Sequence, residues 1–294
     1  VTVIDSFNAF IKAFPDINAL ARAREDRVME LWAGLGYYSR ARNLHKTAKI
    51  ISSQYGGGFP KSHSEIVALP GIGPSTAGAI LSLGSNLEAS ILDGNVKRVL
   101  ARYHRVKGHY SKTTVLKELW RLAKLHTPSE KNAVYTQAIM DIGATVCTPK
   151  NPNCSICPIS RHCEAFVNNE QLYFPEKKIK RPSKPEKNLV FLVYVNEKNE
   201  IFLAKRTSPG IWGGLWSFEE CQDKSKIVSK AIKKHNRSAT ILRRLEKFKH
   251  TFSHYNLWIT PIIIDSPGGS KNYFPTTSLT KGVPAPVKKI IQSL

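Results

Sequence analysis

The sequence is poor in cysteine, in acidic side chains and in long apolar runs, and each shortage excludes something. Of 294 residues, five are cysteine, and four of these fall between positions 147 and 163. So tight a group cannot staple a chain of this length, and its clustering points to metal rather than to a disulfide framework. No basic, apolar-cored leader with a small-residue cleavage site opens the sequence, so nothing marks it for secretion. The expected setting is intracellular: the bacterial cytoplasm or, in a eukaryote, the nucleus or mitochondrion. The longest uncharged stretch, Ile66 to Leu87, is interrupted by Pro70, Gly71, Gly73 and Pro74, which excludes one continuous spanning helix, and no membrane partner is expected. Asp and Glu together number 22 against 44 Lys and Arg, a formal net charge of +22. An excess of that size implies a polyanionic partner, because each neutralised phosphate releases condensed counterions.

The length suggests about two domains, and the pattern divides accordingly. Residues 1–168 read as mostly helical. They open on an apolar stripe at Ile4, Phe7, Phe10, Ile11 and Phe14 that is already running at Val1, so a preceding piece is expected. Ser62 and Glu65 form a capping-box signature before Glu65–Leu69, Pro70–Gly73 reads as a tight turn, and Thr76–Leu83 resumes as helix. Further helices are expected near 96–104, 115–124 and 132–146. Residues 169–187 interleave Pro175, Pro182 and Pro185 with six basic residues and read as a linker. Residues 188–294 are α+β: a hairpin of Leu189–Val195 and Ile201–Ala204, strands at Trp216–Phe218 and Leu257–Ile264, and a basic amphipathic helix over Lys224–Lys234 between these last two.

The chemistry concentrates in three places. Cys147, Cys154, Cys157 and Cys163 have the spacing C-x6-C-x2-C-x5-C. Four thiolates in so short a loop can wrap one 4Fe–4S cluster, with structural zinc as the rival, although zinc sites commonly pair two short Cys-x2–4-Cys units and only Cys154 and Cys157 make one here. With all four ligands from protein no position is left for substrate, so the group is expected to be structural. Leu69-Pro70-Gly71-Ile72-Gly73-Pro74-Ser75 joins two short helices through glycines that let backbone approach a phosphate, with the free N–H groups of the second helix facing it. Such a contact reads phosphate, not sequence. Twenty residues beyond Gly73 stands Asp93, in Ile91-Leu92-Asp93-Gly94-Asn95-Val96-Lys97-Arg98. Alone it would be a turn residue or a helix cap.

Hairpin, aspartate and cysteine loop in this order resemble the helix-hairpin-helix DNA glycosylases of the endonuclease III superfamily. Trp32 to Asn43, with Gly34-Leu35-Gly36-Tyr37-Tyr38 inside it, resembles the motif of MutY-type adenine DNA glycosylases, which remove adenine mispaired with 8-oxoguanine. The resemblance implies an all-α helix-hairpin-helix domain with an iron–sulfur loop at 147–163, followed by an α+β Nudix-like domain. It also implies a monomer acting on double-stranded DNA that contains an A:8-oxoG or A:G mispair. Asp93 matches the carboxylate beneath the sugar, where positive charge develops, and Asn95 its polar neighbour. Tyr37 matches the wedge beside the lesion, helping to offset the roughly few kcal/mol of base extrusion. Gly71, Gly73, Ser75 and Lys97 are taken as DNA contacts. Ser75 stands where lyase-competent relatives carry a nucleophilic lysine, which implies a monofunctional enzyme leaving an abasic site. The family's general-acid glutamate precedes the helix with which this sequence opens; neither Glu25 nor Glu30 lies in a matching motif, so the chain as given is expected to be severely impaired.

Phe202–Arg206 and Gly210–Phe218 resemble the C-terminal Nudix-like domain of the same enzymes. The carboxylate cluster that a Nudix hydrolase needs for Mg2+ is missing, so nucleotide hydrolysis is not expected. Phe252, Ser253 and His254 match the loop that recognises 8-oxoguanine. Glu219 replaces the family's proline after Phe218. Two other readings stand beside this one: a non-catalytic DNA-binding protein of the same fold, and an endonuclease III-type lyase on oxidised pyrimidines, which Ser75 disfavours.

Overall fold

The computed structural model describes residues 2–177, 183–207, 210–268 and 271–294. Helices come first: α1 (Thr2–Ala13), α2 (Ile17–Arg22), α3 (Glu25–Leu31) and α4 (Tyr38–Gln54). The apolar stripe of α1 is helical as expected, but it is only partly buried. Phe14 is buried and Phe10 packs on it with ring centroids 4.9 Å apart, whereas Ile4, Phe7 and Ile11 are exposed. The next helices are α5 (His63–Val67), α6 (Pro74–Ser85), α7 (Gly94–Tyr103), α8 (Thr113–His126), α9 (Asn132–Asp141) and, past the cysteines, α10 (Glu164–Val167).

Two details of this helical part depart from the sequence reading. The capping box does not form, because the Ser62 hydroxyl pairs with Ser64 Oγ at 2.8 Å instead of capping, and α5 starts at His63. The helix expected to run through Val146 stops being α-helical at Asp141 and continues as a π-turn, Ile142–Val146, closed by Cys147 N–H donating to the Ile142 carbonyl at 2.6 Å. Gly143 lies in that turn so close to Asn95 that an added Cβ would sit 2.6 Å from Asn95 Cβ.

Strands follow: β1 (Glu186–Val195), β2 (Glu200–Phe202), β3 (Ala204–Lys205), β4 (Trp216–Ser217) and β5 (Glu219–Cys221), then α11 (Ser225–His235), β6 (Thr240–Arg244), β7 (Phe248–Thr251), β8 (Asn256–Asp265), β9 (Tyr273–Pro275) and α12 (Ala285–Ile291). The main sheet runs β6-β8-β1-β2-β9, with β5 also on β1 and β7 also on β8; β3 and β4 form a separate ribbon. β1 and β8 are parallel, from Glu186 opposite Asn256 to Val195 opposite Asp265. Both are near-continuous apolar runs because both their faces are covered. Val190, Leu192 and Tyr194 face Val228 and Ile232 of α11, while Phe191 and Val193 face the opposite core with Val287 and Ile290 of α12. The hairpin read at Leu189–Val195 and Ile201–Ala204 is present, but its second strand breaks at Leu203, whose N–H donates to the Asn272 carbonyl before Ala204 leaves for the ribbon. Pro261 is tolerated in central β8 because the neighbouring edge changes there: β7 pairs as far as Ile259 and β6 begins at Ile262.

The chain folds into two compact units that are not sequential: Val1–Gly57 with Pro182–Leu294, and Gly58–Arg181. The division at 168 expected from composition therefore differs from the packing. The reason is that Leu20, Val28, Met29, Ala41 and Ala48 bury into the core beneath the sheet with Phe191, Leu215 and Phe218. Gly282 meets the backbone of Met29 so closely that a Cβ would lie 2.8 Å from its carbonyl oxygen. The linker expected over 169–187 falls partly on residues 178–182, outside the described residues, and Glu186 and Lys187 already belong to β1. In the second unit, Val96, Val99, Leu100, Leu119, Leu122 and Ile139 form one core, and Ile66, Ala77 and Leu81 a smaller one under the glycine turn.

Candidate functional site

The glycine turn between α5 and α6 is held by Ile72 N–H on the Leu69 carbonyl at 3.2 Å, with Gly71 at φ +77°. That left-handed backbone favours glycine. Gly73 caps α6, Pro74 opens it, and no side chain caps it. The first N–H groups of a twelve-residue helix are thus left for an anion, with the positive dipole end behind them. A Cβ at Gly73 would meet nothing within 4 Å, so the approach is open. Ser75 does something the sequence did not suggest: its hydroxyl accepts the Leu92 N–H at 2.9 Å and fastens the hairpin to the segment leading into Asp93.

Asp93 is the N-cap of α7. One carboxylate oxygen accepts the Val96 N–H at 2.8 Å, and among the described residues the other has no protein donor. The side chain is half-buried, so that oxygen is held in place yet reachable. Asn95, on the first turn of α7, accepts from Arg98 Nη2 at 2.8 Å. Arg98 in turn donates to the carbonyls of Gly143 and Cys147, the latter at 2.7 Å. This links α7 to the cysteine loop through one guanidinium. Lys97 points elsewhere, its ammonium 5.5 Å from the centre of the Tyr110 ring.

Arg102, one turn beyond Arg98, is only 2% exposed. It donates to Cys147 Sγ at 3.2 Å and to the carbonyls of Thr148, Pro149 and Phe174 at 2.8, 3.2 and 2.9 Å. Neither arginine was singled out from the sequence. The available signal was an arginine inside the apolar run Val99-Leu100-Ala101-Arg102, since a cation in the buried stripe of a helix needs a fixed set of acceptors.

Cys147 ends the π-turn, Cys154 opens one 3-10 turn and Cys163 follows another, and all four cysteines line a single cavity. Burial, then the facing groups of Cys147, Cys163 and Cys157, raises the Cys154 thiol, and burial raises that of Cys163. Thiols that oppose one another's ionisation call for a cation among them. Among the described residues no three His, Cys, Asp or Glu are gathered closely enough to share one metal ion. Four cysteines from one short loop lining one cavity are the donor set that all-cysteine ligation of an iron–sulfur cluster uses. Gln171 lines the same cavity, and its Oε1 is buried with no partner.

Four sequence-predicted residues lie in the unit that holds the sheet. Tyr37 caps α4 with φ +46°, a left-handed conformation costing a residue with a Cβ about 1–2 kcal/mol. Tyr37 is 71% exposed, with the Arg40 guanidinium 5.3 Å from its ring centre, while Tyr38 is 9% exposed and accepts the Gly34 N–H. Ser253 and His254 are the exposed tip of the β7–β8 hairpin, closed by Phe252 N–H on the Tyr255 carbonyl at 2.9 Å, with Ser253 Oγ 3.3 Å from His254 Nδ1. Phe252 anchors the tip, its ring 5.3 Å from Trp212 and 4.7 Å from Tyr255.

Comparison with known proteins agrees with these features. Residues 1–125 match the model for HhH-GPD superfamily base excision DNA repair proteins, 147–163 the iron-sulfur binding domain of endonuclease III, and 190–293 the NUDIX domain. The chain is 42% identical to an adenine DNA glycosylase of Buchnera aphidicola subsp. Baizongia pistaciae, over 100% of this chain and 85% of that protein. It is 32% identical to the adenine DNA glycosylase of Homo sapiens, over 87% of this chain and 56% of that one. A thermostable thymine-DNA glycosylase structure superposes with a TM-score of 0.50 at 26% identity, covering 56% of this chain and 76% of that chain.

Proposed function

Because the chain belongs to the adenine DNA glycosylase family, within the HhH-GPD base excision DNA repair proteins, we propose that it hydrolyses the N-glycosidic bond of adenine paired with 8-oxoguanine or guanine in double-stranded DNA. The observation that carries the reading is Asp93: one carboxylate oxygen locked by the Val96 N–H, the other open, behind a hairpin shaped for phosphate. As the bond from the sugar to adenine breaks, positive charge grows on the sugar. A carboxylate already oriented there lowers the barrier without reorganising. Water then bonds to the sugar carbon, adenine leaves with a proton, and an abasic site remains. Asn95, held by Arg98, is assigned as the polar neighbour of Asp93.

One 4Fe–4S cluster is the cofactor, with Cys147, Cys154, Cys157 and Cys163 as its ligands in our assignment. When bound it supplies a charged, rigid closure of the loop. Arg98 and Arg102 hold that loop to α7. Gly71, Gly73 and the N-terminal turn of α6 are assigned to DNA phosphate, and Lys97 to the backbone beyond it. Ser75 is assigned an indirect part, through Leu92, rather than direct contact. Tyr37 is the wedge, as its exposure and held backbone support, and Phe252, Ser253 and His254 read the lesion. We assign the working modules as 1–168, 169–187 and 188–294, with the helical and NUDIX family matches falling inside the first and the last, and the acting form as a monomer inside the cell. Among the described residues no helix is long and apolar enough to cross a membrane.

The test is single-turnover adenine release by the full-length protein from duplexes holding A:8-oxoG, A:G or A:T. Release from the first two, without borohydride-trapped adduct, is expected. No release from any duplex would leave a DNA-binding protein without catalysis.

A further inference from the structure

We propose that Arg102 and Gln171 set the reduction potential of the cluster, by directing hydrogen bonds and, from Arg102, positive charge into its sulfur shell. Arg102 is a buried cation whose described partners are three carbonyls and one sulfur; among the described residues no carboxylate forms an ion pair with it. A guanidinium taken out of water is costly unless a counter-charge faces it. The counter-charge it faces is the thiolate side of the cysteine cavity. Gln171 is the second observation. Its carboxamide lies on the wall of the same cavity, with a buried oxygen that no protein group satisfies. The two ends of a carboxamide exchange by a half-turn, so the NH2 end can be turned to the cavity. With the carboxamide so turned, a donor takes the buried, unpartnered position, and the cysteine sulfurs lining the same cavity are the acceptors on offer.

The direction follows from charge. Adding an electron makes the cluster more negative, and donors to its sulfurs together with a nearby cation stabilise that state, raising the potential. Neither side chain touches Asp93 or Asn95 among the described contacts, so this role is separate from bond cleavage.

The experiment is electrochemical titration of the full-length, cluster-loaded protein, the electrode supplying the electron, with iron content measured on every sample. Gln171→Leu is expected to shift the reduced-to-oxidised ratio at fixed potential toward the oxidised form about threefold. Gln171→Glu is expected to shift it about tenfold, which is about 59 mV for a one-electron couple. Arg102→Gln lowers the potential by at least as much, and Arg102→Lys restores part of it by keeping the charge. Arg102 also supports three carbonyls, so if its variants lose iron the Gln171 pair decides. Midpoints unchanged, or raised, in both Gln171 variants with full iron content would overturn the proposal.

Discussion

At the scale of single residues, Asp93 caps α7 and is proposed to face the sugar, and a substitution can separate the observed duty from the proposed one. Asparagine caps as well as aspartate, since its carbonyl oxygen can still accept the Val96 N–H, so Asp93→Asn should change stability by less than about 1 kcal/mol. It removes the negative charge, and adenine release should fall by about 10² to 10³-fold or more, with DNA affinity retained. Single-turnover kinetics beside a binding titration checks this, and a matching loss of affinity would reassign Asp93 to structure. The aspartate could be singled out because its neighbours form a recognisable string. Ser75 was legible only as the absence of lysine. Its hydroxyl on Leu92 N–H joins positions seventeen apart, which no local pattern encodes. Arg98 and Arg102 were missed for the same reason, since their backbone acceptors lie forty-five or more residues away, between the π-turn and Phe174.

At the scale of elements, the hairpin depends on a close approach behind it. A Cβ on Gly78 of α6 would lie 2.1 Å from the Ser90 carbonyl oxygen, where backbone must move. Gly78→Ala should therefore destabilise the protein by about 1–3 kcal/mol despite alanine's better helix propensity. Thermal unfolding reads it, and a raised Tm would show that the segment yields freely. The β7–β8 tip predicts the opposite separation. Ser253→Ala with His254→Ala removes exposed side chains from a turn closed by backbone and anchored by Phe252, so Tm should stay within a degree or two while preference for 8-oxoguanine over guanine falls. Unchanged discrimination would make the tip structural. The helical character of the first 168 residues, α11 and the two long strands were readable from period and composition, whereas α12 was not. The short strands β5, β6, β7 and β9 were not. β6, exposed at every position, offers no alternation to read, and β5 is defined by pairing Val190 with Cys221, not by its own apolar content.

For the molecule as a whole, three imidazoles link stability to pH. Burial, then Lys49, lowers the pKa of His45; burial, then His126 at 2.7 Å, lowers that of His104; and burial lowers that of His250. Folded-state values below the ordinary value of about 6.5 mean that the unfolded chain takes up protons first. The stability these groups contribute is therefore present above that value and is lost as pH falls through it toward the folded pKa values. Tm should be lower at pH 5 than at pH 7.5, and an equal Tm at both would remove the linkage. The shared core of residues 1–57 and 182–294 was invisible to composition, because each part has a plausible apolar face of its own. It also orders events in time. Met29 has no complete surroundings until Leu215 and Phe218 have been made, almost two hundred residues later. At a synthesis rate of about 5–20 residues per second that is a wait of roughly 10 to 40 s. During it the opening helices keep apolar surface in water while the cysteine-bearing unit, complete within 58–181, is free to close first.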